Sequence, residues 1–464
     1  MLTRLHPLDI AILAAFLLFQ TWVGIRLWRE RGRLATATDF LLGGRRLTMP
    51  GFVATLVATW YGGILGVGEY SYLYGISNWL VFGVPYYIWA IVFALYLARP
   101  ARRTLFISLP DHLDQAYGRI PAMTGAAVVF IMTVPAAYVL MIGTMGTLLL
   151  GWPLWWGVVI GAVISVVYLL AGGFNSVVRT DKIQFLAMYV GFAVIVIFAF
   201  LQYGGWSFLK TNLPETHFTW HGGNTAWFVA SWFFIAAATL VEPSFYQRCY
   251  AAKSESVAKR GILISVAFWI LFDFLSTAAG LYARATIPEL ANAESSYPAL
   301  AARVLPPGLV GVFLVGIMAG IFATVDSYMF IAAISIGRDI YGRIKSSTDR
   351  GIRTMTRWGL VVSALVSVTL ALSSQSVVGL WRDLGSIGVP VLLFPVLWTF
   401  RKKQQRMSTK RVVTWMLVPG VVSLVWIGLR VFGSGYLWGV EPIFPGLLVS
   451  VLLWIVFIRN GNST

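Results

Sequence analysis

Thirteen runs of predominantly apolar residues, each long enough to cross a bilayer, set the strongest limit on how this chain folds. A helix needs about 20 apolar residues to span the hydrocarbon core of a membrane. The runs lie near residues 8–27, 47–75, 79–98, 122–150, 153–171, 183–203, 225–247, 259–282, 308–337, 357–373, 376–400, 411–431 and 442–459. The sequence therefore predicts an all-α polytopic membrane protein with about 13 transmembrane helices.

The composition agrees with this class and excludes several others. Of the 464 residues, 58% are hydrophobic and 11% are charged, whereas a soluble chain carries about 25% charged residues. The formal charge of +17 does not indicate a nucleic-acid partner, because the basic residues lie in short loops between apolar runs. A single cysteine, four histidines and the lack of a nucleophile–base pattern in the runs argue against an enzyme.

The positions of the basic residues predict an orientation. Cytoplasmic loops of membrane proteins are enriched in Lys and Arg. Most of the 35 Lys and Arg residues occupy alternate loops, and the intervening segments hold Arg4, Lys210, Arg284, Arg303 and Arg430. We therefore expect the N-terminus outside and the C-terminus in the cytoplasm. The run 8–27 is too long for a signal-peptide core, and we interpret it as a retained first helix.

The second run is unusually rich in glycine. Gly62, Gly63, Gly66 and Gly68 precede Glu69 within this run. Clustered glycines destabilise a continuous helix, and transporters use broken helices whose free carbonyl groups coordinate a cation. The pattern favours an interruption near Gly62–Gly68. The alternative is close packing against another helix through small residues.

The ninth run carries a stripe of small and hydroxyl residues. Gly320, Ala323, Thr324 and Ser327 have the spacing i, i+3, i+4 and i+7 and share one helix face. Thr324 and Ser327 offer oxygen ligands to a hard cation, and Asp326 lies beside the stripe. An ionised Asp at the centre of a membrane helix costs roughly 2.5–3.5 kcal/mol on insertion scales, so it usually has a partner or a function. The alternative for Asp326 is a hydrogen bond that serves only helix packing.

Four short motifs, in order along the chain, resemble the sodium:solute symporter family. The most specific is residues 172–184, which read GGFNSVVRTDKIQ. The others are 42–45 (LGGR), 243–248 with 251–253 (PSFYQR and AAK), and 339–341 (DIY). None of them suffices alone, but together they cover about residues 40 to 400 in the order that the family has.

The resemblance implies a LeuT-like core of five plus five helices related by an inverted repeat, with broken helices. Residues 1–46 would then form the first transmembrane helix and a cytoplasmic loop. Residues 47–400 would form the ten-helix transport core, and residues 401–464 would form two C-terminal helices and a tail. The resemblance also makes a bacterial inner membrane the expected location.

The resemblance implies a sodium site between the first and the eighth core helix. Matched residue by residue, the ligand positions are Ala58, Tyr61, Gly320, Ala323 and Thr324. The family usually has two adjacent hydroxyl residues where this chain has Ala323 and Thr324, so one ligand is lost. Asp326 or Ser327 would have to replace it. Some relatives use a second sodium site, which here would correspond to Asp181 together with hydroxyl groups near Ser327.

The implied function is sodium-coupled symport of a small organic solute into the cell by alternating access. Proton coupling through Glu69 or Asp326, and a solute sensor that does not transport, remain as alternatives. Trp60, Trp232 and Phe233 suit a ring or a sugar, whereas Glu69 and Asp326 suit an amino or cationic group, and the sequence ranks neither. The expected partners are the solute, Na⁺ and the lipid bilayer; the sequence indicates no oligomeric state.

Overall fold

The computed structural model describes residues 5–30, 36–345, 347–373, 377–401, 407–432 and 436–459. The first half of the chain forms α1 (Pro7–Glu30), α2 (Ala37–Leu42), α3 (Met49–Trp60), α4 (Ile64–Tyr74), α5 (Val84–Val92), α6 (Ala98–Arg103), α7 (Pro110–Tyr117), α8 (Arg119–Thr133), α9 (Ala136–Leu150), α10 (Leu154–Gly172) and α11 (Phe174–Tyr203). The second half forms α12 (Trp206–Asn212), α13 (Ala226–Ile235), α14 (Pro243–Ala251), α15 (Glu255–Thr286), α16 (Ser296–Val304), α17 (Leu309–Ile334), α18 (Gly342–Ile344), α19 (Asp349–Ser373), α20 (Val377–Trp398), α21 (Thr409–Phe432) and α22 (Ile443–Arg459). Among these residues the β-type pairing is limited to an isolated bridge between Leu47 and Ala252. The predicted all-α class is confirmed.

Eleven helical stretches of the described residues are long and apolar enough to cross a membrane. They are Pro7–Arg26, Met49–Tyr74, Trp79–Arg103, Arg119–Leu150, Leu154–Gly172, Phe174–Tyr203, Ala226–Ala251, Glu255–Thr286, Leu309–Ile344, Asp349–Ser373 and Thr409–Leu429. The other two predicted spans coincide with α20, which contains two prolines, and with α22, whose apolar part is Ile443–Phe457. The number thirteen stays a prediction.

The second and the seventh span are interrupted helices. In the second span, the 3₁₀ turn Tyr61–Gly63 separates α3 from α4. In the seventh span, the 3₁₀ segment Ala236–Val241 and the extended residue Glu242 separate α13 from α14. In the predicted ten-helix core, spans two and seven would be the first helices of two successive sets of five. A ten-helix inverted repeat uses interrupted helices in this way.

The glycines of the second span both interrupt the helix and allow close packing, the two alternatives that the sequence left open. The interruption lies at Tyr61–Gly63, at the start of the predicted segment, whereas Gly66 and Gly68 stay helical within α4. A Cβ atom on Gly68 would lie 2.8 Å from the ring of Tyr297, so this glycine permits close packing. The helix therefore breaks at its first two glycines and packs tightly at its last.

The sixth span begins earlier than its hydropathy indicates. The sequence predicts a loop up to residue 183, but α11 begins at Phe174, directly after Gly173 ends α10. Gly173 has a φ of 56°, and a Cβ atom there would lie 2.4 Å from the Phe40 carbonyl oxygen, so the sharp turn requires glycine. Because the helix starts here, Asp181 lies inside it and is buried.

Helix α17 lies at the centre of the bundle. It packs against α1, α3, α11 and α19, and nearly all of its residues are buried. Helix α1 also packs on α10, while α21 and α22 pack on α20 and on each other. The division at residues 46 and 400 stays a prediction, but the packing places the ninth span against the broken second span.

Candidate functional site

The interruption of the second span contacts α17 directly. A Cβ atom on Gly62 would lie 2.3 Å from Thr324 Oγ1, and one on Gly320 would lie 3.1 Å from the Tyr61 carbonyl oxygen. The first position cannot hold a side chain without a shift of the helices, and the second leaves little room for one. Glycine at both positions brings the backbone of the interruption against the hydroxyl stripe of α17.

Several oxygen atoms converge at this crossing. Thr324 Oγ1 lies 2.6 Å from the Thr59 carbonyl oxygen and 3.1 Å from the Gly320 carbonyl oxygen. The five residues predicted as sodium ligands are all buried: Ala58, Tyr61, Gly320, Ala323 and Thr324. Carbonyl and hydroxyl oxygens at a helix interruption are the donor set that transporters use for Na⁺. The crossing therefore has the chemistry of the predicted site.

The buried guanidinium of Arg248, a residue of α14, lies against the next turn of the hydroxyl stripe on α17. Arg248 Nη2 lies 3.0 Å from Thr55 Oγ1, 2.9 Å from Thr59 Oγ1 and 2.6 Å from Ser327 Oγ. The same nitrogen is 3.9 Å from Asp181 Oδ2, and both side chains of this pair are fully buried. Thr55 also donates a hydrogen bond to Asp181. Arg248 therefore donates a hydrogen bond to Ser327 and lies beside Asp181, the two residues that the sequence predicts as ligands of an additional sodium ion.

Asp326 faces away from this stripe. It is fully buried, and neither carboxylate oxygen has a hydrogen-bond partner among the described residues. Its side chain interacts with Ser165 of α10. Residues two apart on a helix point to different faces, so Thr324 and Asp326 do not converge. Its role as a sodium ligand stays a prediction, and the structure offers it no position beside Thr324.

A cavity of about 200 Å³ adjoins the crossing. It is lined by Thr59, Tyr61 and Gly63 of the interrupted span, so it reaches the edge of the candidate ion site. Its other prominent lining residues are the aromatic Trp60, Tyr86, Tyr138, Trp232 and Tyr328 and the ionisable Glu242, Asp273, Arg382 and Glu441. Such a mostly apolar cavity with a few polar groups is typical of small-molecule sites.

The cavity contains two of the four residues predicted to contact the solute. Trp60 and Trp232 line it, but Glu69 and Phe233 do not. Glu69 is half-buried on α4, and Phe233 packs with Tyr70 and Val81 outside the cavity wall. The cavity therefore includes two of the three predicted aromatic residues and excludes the predicted carboxylate.

Asp273 of α15 is the main residue that the sequence reasoning missed. It is 4% exposed, and it accepts hydrogen bonds from the hydroxyl groups of Tyr61, at 3.0 Å, and Tyr87. Tyr61 belongs to the interruption, so this carboxylate is bonded to the same turn that holds the predicted sodium ligands. The signal was present, because an Asp within the apolar run 259–282 marks a functional position in a membrane helix.

Glu242 and Arg382 are two further ionisable residues of the cavity wall. Glu242 precedes α14, and its Oε1 atom accepts a hydrogen bond of 3.3 Å from the Ser244 N–H group. Arg382 pairs with Glu441 at 3.5 Å and lies 4.9 Å from the centre of the Tyr436 ring. An ion pair between α20 and the segment before α22 is therefore part of the cavity wall.

The sequence profile of the sodium:solute symporter family matches residues 40–409. The chain belongs to this family. The sodium/pantothenate symporter of Escherichia coli is 27% identical, with 97% of this chain and 96% of that symporter aligned. The sodium/proline symporter of Escherichia coli is 25% identical over 95% of this chain and 91% of that symporter. The high-affinity choline transporter 1 of Drosophila melanogaster is 23% identical over 88% of this chain and 68% of that transporter.

Solved structures show the same fold. A Na⁺-coupled sialic acid symporter in a substrate-bound, outward-open state superposes with a TM-score of 0.79 at 15% identity, covering 97% of this chain and 98% of that chain. A nucleobase-cation-symport-1 family transporter superposes with a TM-score of 0.56 at 13% identity, covering 91% of this chain and 94% of that chain. The predicted LeuT-like architecture is confirmed.

These comparisons establish the class of function. The symporter is an integral membrane protein that couples movement of a small solute to sodium, and it is not an enzyme, as the sequence predicts. Its relatives serve different solutes, so membership of the family does not specify the solute.

Proposed function

We propose that Na⁺ binds where the Tyr61–Gly63 interruption crosses α17, and that the solute binds in the adjoining cavity. The observation that carries the proposal is the contact of Thr324 Oγ1 with the carbonyl oxygens of Thr59 and Gly320 at 2.6 and 3.1 Å. The Thr324 hydroxyl is within hydrogen-bond distance of both of these oxygens. A bound Na⁺ would instead take the lone pairs of all three oxygens. Ala58, Tyr61 and Ala323 would complete the site through their carbonyl groups.

The geometry supports a direct link between ion and solute. Thr59 and Tyr61 belong both to the ion crossing and to the cavity wall. Na⁺ bound at the crossing would hold the interrupted span against α17 and so favour one arrangement of the cavity. Two ligands that favour the same conformation raise each other's affinity by the same factor. This reciprocity is the thermodynamic basis of symport by alternating access.

We infer that a single Na⁺ is carried in each cycle. The oxygens of Asp181 and Ser327 that would form a second site surround Arg248 Nη2, which is fully buried. A second cation among the same oxygens would lie beside a fixed positive charge at low dielectric, where repulsion is strong. The guanidinium would then serve as a permanent counter-charge for Asp181. Titration with radiolabelled Na⁺ should saturate at one ion per protein, and saturation at two would contradict this inference.

We also propose the orientation that the basic loops predict, with the N-terminus outside and the C-terminus in the cytoplasm of a bacterial inner membrane. Inward transport would then run down the sodium gradient. Cysteine labelling at Lys210 and Lys253, one on each predicted side, tests this orientation. Labelling of the Lys253 position, but not of the Lys210 position, from outside intact cells would contradict it.

The ion site is tested by replacing Thr324 and measuring the binding of radiolabelled Na⁺ to the purified protein. Thr324→Val keeps the shape of the side chain but removes the hydroxyl ligand, and loss of a bond to a charged group costs about 1.5–3 kcal/mol. We therefore expect sodium affinity to fall at least about tenfold. Thr324→Ser keeps the oxygen and is the matched control. Wild-type affinity in a folded Thr324→Val protein would refute the site.

A further inference from the structure

The cavity holds more negative charge than its own residues neutralise. Asp273 and Glu242 both line it, and neither lies within 4 Å of a basic nitrogen in the part of the chain that the structure describes. Glu242 is bonded to Tyr328 and interacts with Arg248 at longer range, whereas no described basic group faces Asp273. Glu441 also lines the cavity but is paired with Arg382 at 3.5 Å. An unpaired carboxylate is costly inside a membrane protein, and such residues mark ion or substrate sites.

Two tyrosines hold Asp273 at the cavity wall. Its Oδ1 atom lies 3.0 Å from the Tyr61 hydroxyl, which also lies 2.9 Å from the Trp269 carbonyl oxygen, and its Oδ2 atom accepts a hydrogen bond from the Tyr87 hydroxyl. These contacts fix the position of Asp273, but the tyrosines supply no positive charge to balance a carboxylate.

The remaining wall presents aromatic rings. Trp60 is partly exposed to the cavity and packs at 5.3 Å from the ring of Tyr86 and at 5.0 Å from the ring of Trp269. Trp232 and Tyr138 contribute further rings to the same wall. The faces of aromatic rings attract cations, and aromatic walls are the usual means of binding quaternary ammonium groups.

The cavity offers no comparable feature to an anion. Arg382 is the basic residue that lines it, and its guanidinium already contacts Glu441 and the ring of Tyr436. A solute with a net negative charge would face two carboxylates with no free basic group among the described lining residues. Carboxylates and ring faces together favour a positively charged solute.

We propose that the solute is a small organic cation, an amine or a quaternary ammonium compound, whose charged nitrogen is bound by Asp273 against the aromatic wall, with Glu242 adding negative charge to the same cavity. This inference rests on the proposal that the solute occupies this cavity. It assigns Asp273 to direct contact with the solute and Tyr87 to positioning it. Since Tyr61 joins Asp273 to the interruption, binding of the cation would be sensed at the sodium site.

The test compares charged probes with neutral molecules of the same shape. Choline and 3,3-dimethylbutan-1-ol differ chiefly by a positive nitrogen in place of carbon, and betaine adds a carboxylate to the same headgroup. Ethanolamine, with propan-1-ol as its neutral counterpart of the same shape, covers a smaller cation. Binding is measured by thermal shift and calorimetry on the purified protein with and without Na⁺. We expect at least one cation to bind at least tenfold more tightly than its neutral counterpart, and only when Na⁺ is present.

Variants assign the binding to the cavity. Asp273→Asn should lower the affinity for the cationic probe at least tenfold while the protein still binds radiolabelled Na⁺. Glu242→Gln should also lower the affinity for that probe. Glu294→Gln, which neutralises a half-buried carboxylate outside the cavity wall, is the control. If Asp273→Asn does not fold, Trp60→Phe, which keeps a ring of lower cation affinity, tests the aromatic wall instead.

The outcomes separate this inference from the proposed function. Equal affinity for cations and their neutral counterparts, or sodium-dependent binding of only zwitterions or anions such as proline and pantothenate, would overturn the inference and leave the ion site intact. If the wild-type protein does not bind radiolabelled Na⁺, the proposed ion site is wrong. If solute binding is unaffected by every cavity variant, the proposed solute site is wrong.

Discussion

A methyl group added at Gly62 would separate the interrupted span from α17. The Cβ atom of Gly62→Ala would lie 2.3 Å from Oγ1 and 2.4 Å from Cβ of Thr324, whereas ordinary contacts begin at 3.4 Å. Rotation of the Thr324 side chain cannot relieve the clash, because its Cβ atom is fixed to the backbone of α17. The two helices must therefore move apart by about 1 Å, as small-to-large changes in packed cores require.

This displacement should affect sodium more than stability. Overpacking in a core costs about 1–3 kcal/mol, which most folded proteins tolerate. A binding site, however, keeps its function only while its ligands stay within about 0.5 Å of the productive geometry. A shift of about 1 Å between the carbonyl oxygen of Thr59 and the hydroxyl of Thr324 exceeds that limit. We expect the sodium dissociation constant to rise at least about tenfold, which corresponds to 1.4 kcal/mol.

The assay measures binding of radiolabelled Na⁺ and thermal unfolding on the same purified preparation. Gly428→Ala in α21 is the matched control, because no atom lies within 4 Å of its added Cβ atom. That variant should bind Na⁺ like wild type. If Gly62→Ala unfolds at a lower temperature but keeps wild-type sodium affinity, the contact serves packing alone, and the crossing is not the ion site.

Three further predictions concern single-residue substitutions. Ala323→Ser restores the hydroxyl that relatives have and should tighten sodium binding about fivefold, the value of one hydrogen bond; weaker binding would show that the buried position cannot hold the extra oxygen. Asp326→Asn should leave the sodium titration of uptake unchanged, because Asp326 faces α10; a changed sodium curve would make it an ion ligand, and a lost pH dependence would make it a proton carrier. Burial lowers the pKa of His112 in α7 from 6.5 to about 4. As pH falls below 6.5, the unfolded chain therefore binds a proton at His112 that the folded state does not yet bind. The free energy of unfolding should decrease by about 2 kcal/mol between pH 7.5 and pH 5 for this reason. His112→Phe should lose less thermal stability than wild type over that range, and an equal loss would assign the acid sensitivity to other groups.

The sequence by itself determined the class of the molecule and predicted which two spans would form its ion site. Hydropathy over windows of about 20 residues depends only on local composition, so the spans were predictable. The glycines of the second span and the hydroxyl stripe around Thr324 were predictable for the same reason, since both are local patterns. Hydropathy misplaced the start of α11, because the polar residues Thr180 and Asp181 are buried by neighbouring helices and not by lipid.

Only the tertiary structure decided which charges meet which partners. Arg248 reaches Ser327 across 79 positions and Thr55 across 193, while Asp273 reaches Tyr61 across 212. These contacts depend on which face of each helix packs against its neighbour, and that choice is made by the whole set of packed side chains. An aspartate in an apolar run indicates that it has a partner or a function. The sequence of the run does not specify whether that partner is a guanidinium, a tyrosine or a solute.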